Sequence, residues 1–172
     1  KKIKGKNVVA IQNGVDLGRI DKVLSEWSQK EEKEEHSQKT LVYVGRLIPI
    51  KNQKFLINLL PKLENCRLIL IGAEEENGFI RKLIDEKKLA DRVEITGLVS
   101  RKQVFEKLKE SDIYVSSSLV EGLPISVLEA MYVGLPVILS DIKPHQEIAS
   151  HSSSVTTLNM ADEEQWVNTI TE

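Results

Sequence analysis

Short apolar runs alternate with segments of helical period along nearly the whole sequence, and that alternation narrows the fold more than any other feature. Residues 40–44, 67–71, 93–95, 113–115, 137–139 and 155–158 are runs of the strand type. Between them, residues 52–63, 77–89, 101–110, 124–132 and 144–149 carry the helical pattern, and a last helix is expected from Asp162 onward. Phe55, Leu56, Leu59, Leu60 and Leu63 share one face of 52–63, although Pro61 predicts a kink or an end in its last turn. Several strand runs are apolar on both faces, as parallel strands covered by helices on either side must be. The fold class that follows is α/β, a doubly wound parallel sheet with helices on both faces. Upstream, residues 8–11 form a further strand candidate and Asn13-Gly14 supplies turn chemistry. Behind Asp16, a candidate cap, Leu17, Ile20, Val23, Leu24 and Trp27 recur at helical spacing. Residues 29–39, dense in Lys and Glu, read as a solvated helix end and loop.

The chain has 172 residues, which fits one domain. Its 41% hydrophobic and 29% charged residues exclude chain-wide disorder, a collagen-like fibre and a disulfide scaffold. A formal net charge of −2 argues against a dedicated binder of nucleic acid or anionic membrane. Cys66 is the single cysteine, so no intrachain disulfide forms, no zinc spacing exists, and a reducing compartment fits. No apolar run approaches the roughly 18 residues of a membrane span, and Lys1-Lys2-Ile3-Lys4 is not followed by the core of a signal peptide. The missing initial Met and the abrupt stop at Thr171-Glu172 predict a piece of a longer chain.

Doubly wound sheets bind ligands outside the carboxyl ends of their strands, so function is sought just after each strand. Gly45-Arg46-Leu47 follows the first regular strand, and Lys51 comes shortly after. Arg offers a planar fork and Lys a mobile charge, so the two suit a diphosphate, or they are ordinary surface cations. The 116–122 segment leads through Leu123 into Pro124, a residue preorganised for a first helical position. Free backbone N–H groups at such a helix start form an anion site, and Gly122 lets a ligand approach closely. Glu121 stands before this helix and Glu129 inside it, among Leu128, Ala130 and Met131. Two carboxylates there can accept from vicinal hydroxyls, or serve as a loop charge and a helix ion-pair partner. Gly97-Leu98-Val99 can offer backbone to a flat base or be a simple turn, and Gly72 has the same ambiguity. His145 and His151 accompany no nucleophile pattern, and the serines at 116–118 and 152–154 lack a G-x-S-x-G context. With neither a Walker A loop nor a G-x-G-x-x-G, hydrolase, P-loop and dehydrogenase readings are set aside.

Taken together these residues resemble a family. The first part is Val44-Gly45-Arg46-Leu47 with Lys51, then Ile71-Gly72, then Arg92-Val93-Glu94-Ile95-Thr96-Gly97-Leu98-Val99. The second is Ser116-Ser117-Ser118-Leu119-Val120-Glu121-Gly122-Leu123-Pro124-Ile125-Ser126-Val127-Leu128-Glu129-Ala130-Met131. Gly134-Leu135-Pro136-Val137-Ile138 and Glu147-Ile148 complete it, and Asn13-Gly14-Val15-Asp16 looks like the opening of the same domain. The pattern is similar to the C-terminal, donor-binding domain of a GT-B fold glycosyltransferase of the retaining family 4 type, a Rossmann-like fold. The E-x7-E run in register with G-R-L…K and G-x-P-V is the specific element. The whole chain would then be one nucleotide-sugar-binding domain, with residues 1–12 holding the interdomain linker and first strand and the N-terminal acceptor domain absent.

The resemblance implies roles residue by residue. Arg46 and Lys51 would bind the donor diphosphate and stabilise the charge of the departing nucleotide, and Glu121 would hold hydroxyls of the donor sugar. Gly122, Leu123 and Pro124 would offer backbone to sugar and phosphate. Glu129 would bind the ribose, and Gly97, Leu98 and Val99 would lie along the base. The donor would be a UDP-, GDP- or ADP-sugar. No Asp-x-Asp motif occurs, and the family's use of protein cations in place of a metal implies metal independence and no cofactor. Retention in the family is assigned to front-face attack assisted by the leaving phosphate. The acceptor would be a glycan or a lipid-linked molecule in polysaccharide or lipopolysaccharide biosynthesis. The setting would be cytoplasmic, with a longer protein able to associate peripherally with the inner membrane face. Lacking the acceptor half, the fragment alone would bind donor without transferring sugar. The alternatives are a glycogen-synthase-like enzyme or nucleotide-sugar epimerase on the same fold, or a non-catalytic nucleotide-binding or interaction module.

Overall fold

The computed structural model describes residues 14–25, 38–74 and 78–172. The strand expected at 8–11, the linker at 1–12, Trp27 and all but the end of the charged segment lie outside the described residues. Six strands form one sheet: β1 (Lys39–Val44), β2 (Cys66–Ile71), β3 (Val93–Gly97), β4 (Ile113–Ser116), β5 (Val137–Ser140) and β6 (Val155–Leu158). Seven α-helices are described: α1 (Leu17–Ser25), α2 (Gln53–Leu59), α3 (Phe79–Glu86), α4 (Arg101–Glu110), α5 (Ile125–Tyr132), α6 (Lys143–Ala149) and α7 (Glu163–Thr171). The strand order is β3-β2-β1-β4-β5-β6, and every pairing is parallel.

The pleat sorts the apolar side chains into two layers. Leu41 and Tyr43 of β1 share one face with Leu68 and Leu70 of β2, packed on Leu56, Ile57, Ile80, Ile84 and Trp166. Val42, Ile69, Ile71, Tyr114 and Leu139 point the other way, onto Ile20, Phe105, Leu108, Val127 and Ile148. Helices α2, α3 and α7 therefore cover one face, and α1, α4, α5 and α6 the other. Both faces are buried, which is why the central strands read as continuous apolar runs.

Element ends depart from the sequence reading for local reasons. The helix expected over 52–63 stays α-helical only to Leu59, and Leu60–Lys62 tighten into a 3-10 turn with Pro61 near its start. Pro61 has no N–H to give, and its ring crowds the preceding turn. Pro124 is the N-cap of α5, with ψ 95°, rather than its first helical residue. β3 runs on to Gly97. Helix α3 starts at Phe79, where Glu74 Oε1 accepts from the N–H groups of Ile80 (2.6 Å) and Arg81 (3.2 Å). A remote carboxylate thus caps the helix and complements its dipole.

Beyond the strands, the backbone after β1 stays paired with that after β2. Gly45 N donates to Ile71 O and Leu47 N to Ala73 O, each at 2.9 Å. Gly72 has φ +151°, and a Cβ there would overlap the Gly45 carbonyl. Gly122, by contrast, is exposed, and a Cβ there meets nothing within 4 Å. Gly72→Ala should therefore lower stability by about 2–4 kcal/mol, and Gly122→Ala by no more than about 0.5 kcal/mol. Urea melts of the two variants against the parent chain check this contrast.

Candidate functional site

The strand order reverses between β1 and β4, and the loops leaving their carboxyl ends stand where doubly wound sheets form a crevice for ligands. After β1, Gly45-Arg46-Leu47 leads into a 3-10 turn, Pro49–Lys51. Lys51 N donates to Ile48 O (2.9 Å) and Asn52 N to Pro49 O (3.0 Å). Asn52 then takes a left-handed φ of 52° and starts α2. Fully buried Gln53 anchors the loop from below, its Nε2 donating to Arg46 O at 2.9 Å. On the β4 side, Ser117 Oγ donates to Asn52 O (2.8 Å) and Leu119 N to Ile50 O (2.9 Å). These bonds lace the two loops together. They set Lys51 Nζ 2.6 Å from Glu121 Oε1, with the two side chains only 19% and 11% exposed.

The turn after β5 closes a third side. Ser140 Oγ donates to Ser118 O at 2.6 Å. His145, in the first turn of α6, places Nδ1 2.8 Å from Ser140 O and 3.1 Å from Ser140 Oγ. A carbonyl only accepts, so Nδ1 carries the proton and Nε2 is left as an acceptor. His145 is fully buried and its Nε2 has no hydrogen-bond partner. Burial holds the imidazole below its ordinary pKa of 6.5; the Ser140 carbonyl and Glu121 oppose that shift, and Lys51 adds to it.

The second carboxylate lies deeper. Glu129 projects from α5 and is 3% exposed, with Oε1 2.7 Å from Arg101 Nη1. Arg101 opens α4, whose start is fixed by a capping box between Ser100 and Gln103. Its guanidinium sits over the Phe105 ring, 5.1 Å from the centroid. Beside Glu129, Tyr114 OH and Ser126 Oγ are 2.8 Å apart, tying β4 to the first turn of α5. Burial raises the Tyr114 pKa well above the ordinary tyrosine range, so the phenol stays neutral. Pro124 is buried, Leu123 partly so, and the N–H groups of Ile125 and Ser126 have no partner within the helix that follows. Across the crevice, Gly97 bridges to Gly72, Val99 packs on the core and Leu98 is 85% exposed.

The fold thus brings Lys51 to Glu121 and sets Glu129 below the start of α5. Arg46 is exposed on the adjoining loop, and among the described residues no ion pair includes it. Sequence reasoning passed over Arg101, Gln53, Tyr114 and the Ser118–Ser140–His145 chain of contacts. Their contacts join positions at no regular interval, some only a few residues apart as for His145 and Ser140, others far apart as for Arg101 and Glu129, so no spacing signals them. For His145, the only trace is a histidine inside an otherwise unremarkable short helix.

A six-stranded parallel sheet in this order, with its polar groups converging at the reversal, defines the Rossmann-like class to which the GT-B glycosyltransferase domains belong. The family described as Glycosyl transferases group 1 matches residues 25–172, and the chain belongs to that family. It is 32% identical over 148 residues to the uncharacterized glycosyltransferase MJ1059 of Methanocaldococcus jannaschii, covering 83% of this chain and 36% of that protein. It is 30% identical over 155 residues to the GDP-mannose:cellobiosyl-diphosphopolyprenol alpha-mannosyltransferase of Xanthomonas campestris, covering 87% and 38%. In fold it is similar to Anabaena HepE in complex with UDP-glucose, with TM-score 0.70, 19% identity, and coverage of 91% and 43%. The chain spans less than half the length of these relatives. Among the described residues no helix is long and apolar enough to cross a membrane.

The buried imidazole makes stability depend on pH. Its folded pKa lies below the unfolded value near 6.5, so below that pH the unfolded chain binds more protons. Its contribution is therefore present above pH 6.5 and lost as pH falls through the lowered folded pKa. His145→Gln should flatten the fall in stability between neutral and acidic pH, read from denaturant melts of variant and parent across that range.

Proposed function

We propose that this chain is the donor-binding domain of a retaining, family-4-type glycosyltransferase. The observation that carries the reading is the laced crevice at the β1/β4 reversal, where Lys51 and Glu121 meet and Glu129 lies beneath the α5 start. Transfer from a nucleotide-sugar breaks the bond between the anomeric carbon and a diphosphate, and negative charge grows on the departing phosphate. Lys51 and Arg46 supply fixed cations at that point, and the free N–H groups at the start of α5 add a favourable dipole. These groups oppose the developing charge, and on this reading they let the site act without a metal ion. Glu121 accepts from hydroxyls of the donor sugar and Glu129 from the ribose diol. Gly122, Leu123 and Pro124 present backbone to sugar and phosphate, and Gly97, Leu98 and Val99 border the base. The acceptor enters from an N-terminal domain of a longer protein. It is a glycan or lipid-linked molecule of polysaccharide or lipopolysaccharide synthesis; the name of the Xanthomonas relative carries a lipid-linked one, cellobiosyl-diphosphopolyprenol. The setting is cytoplasmic, with the longer protein at the inner face of the membrane, and this chain by itself binds donor without transferring sugar.

Calorimetric titration of the chain with UDP, GDP, ADP and CMP, each with EDTA and with magnesium, tests the reading. One nucleoside diphosphate should bind equally well in EDTA, and Glu129→Ala should weaken it by at least about tenfold, the loss of a charge-assisted contact. Gly122→Ala should weaken the nucleotide-sugar while leaving stability close to that of the parent. Binding that requires magnesium, or that survives Glu129→Ala, contradicts the assignment.

A further inference from the structure

The Glu129 carboxylate has a charge partner but lacks a hydrogen-bond partner at its buried oxygen. Oε1 is 2.7 Å from Arg101 Nη1, yet the contact is not aligned as a hydrogen bond, and Oε1 is sealed from solvent. We propose that Arg101 is a positioning residue: it holds Oε1 of Glu129 by charge and so aims the other carboxylate oxygen, Oε2, at the ligand. The inference rests on the donor-domain reading, in which Glu129 meets the ribose hydroxyls.

A carboxylate only 3% exposed has little water to hold it in one orientation, so the groups packed around it set where it points. Among the described residues, Arg101 from α4 lies within ion-pair distance of it. Its guanidinium is 49% exposed, so it stays hydrated and charged at little cost. Phe105 underneath and the Ser100–Gln103 capping box fix its origin without spending the Glu129 lone pairs. A carboxylate oxygen already held in one orientation accepts from a diol without the entropic cost of ordering it, so the pair tunes affinity for a diol.

The test is calorimetric titration of the chain with UDP, GDP and ADP, each variant compared with the parent. Arg101→Ala should weaken binding roughly tenfold. Arg101→Lys should restore parent-like binding, and Arg101→Ala should cost nothing further in a Glu129→Gln background. An Arg101→Ala chain that binds like the parent overturns the proposal. A loss that Lys does not rescue, or that persists in the Glu129→Gln background, also overturns it, because Arg101 then contacts the ligand or shapes the fold. If the parent binds none of the three nucleotides, the donor-domain reading itself fails, and this inference with it.

Discussion

Reversal of the winding direction between β1 and β4 governs the rest of the molecule. Both strands are buried on two faces, so the chain leaving each must cross to a helix, and those helices lie on opposite sides of the sheet. The chain thus leaves the sheet toward opposite faces at this edge, the place where doubly wound folds take their ligands. Backbone groups stranded there need partners. Ser117 to Asn52, Leu119 to Ile50 and Ser140 to Ser118 provide them. The same bonds that satisfy the loops fix the distance between Lys51 and Glu121. Site geometry is thus a by-product of solving the hydrogen-bond problem at the sheet edge.

That coupling explains what could be read from the sequence and what could not. The strands were legible because double-faced burial leaves an unbroken apolar signature, as at 68–71. Helix existence was legible from periodicity, but helix ends depended on remote groups such as Glu74, which caps α3 from outside the helix. Pro61 announced its own interruption, since its effect is covalent and local. Among site residues, Glu129 stood out because a carboxylate within an apolar helix is anomalous by itself. Arg101 and His145 are not anomalous in sequence. Their roles come from contacts with Glu129 and with Ser140, and only the folded chain creates those contacts.

Both carboxylates of the E-x7-E pattern meet a cation before any ligand arrives, and this shapes how the crevice can work. Two unpaired carboxylates in a poorly hydrated edge would repel each other and lose hydration with nothing in return. Pairing Glu121 with Lys51, and Glu129 with Arg101, removes both difficulties at separate points. The two pairs differ in consequence. Lys51 and Glu121 are both mostly buried, so on the proposed reading an arriving phosphate and sugar must share or part them, and the interaction is exchanged rather than added. On that reading, Arg101, half in solvent and spending no aligned hydrogen bond on Glu129, stays in place when a diol is accepted. One pair would then be a contact the donor rearranges, and the other a fixed support that the donor completes. A crevice working this way would favour a ligand carrying phosphate, sugar and ribose together over any fragment, because only the whole molecule offsets the cost of opening the first pair while using the second.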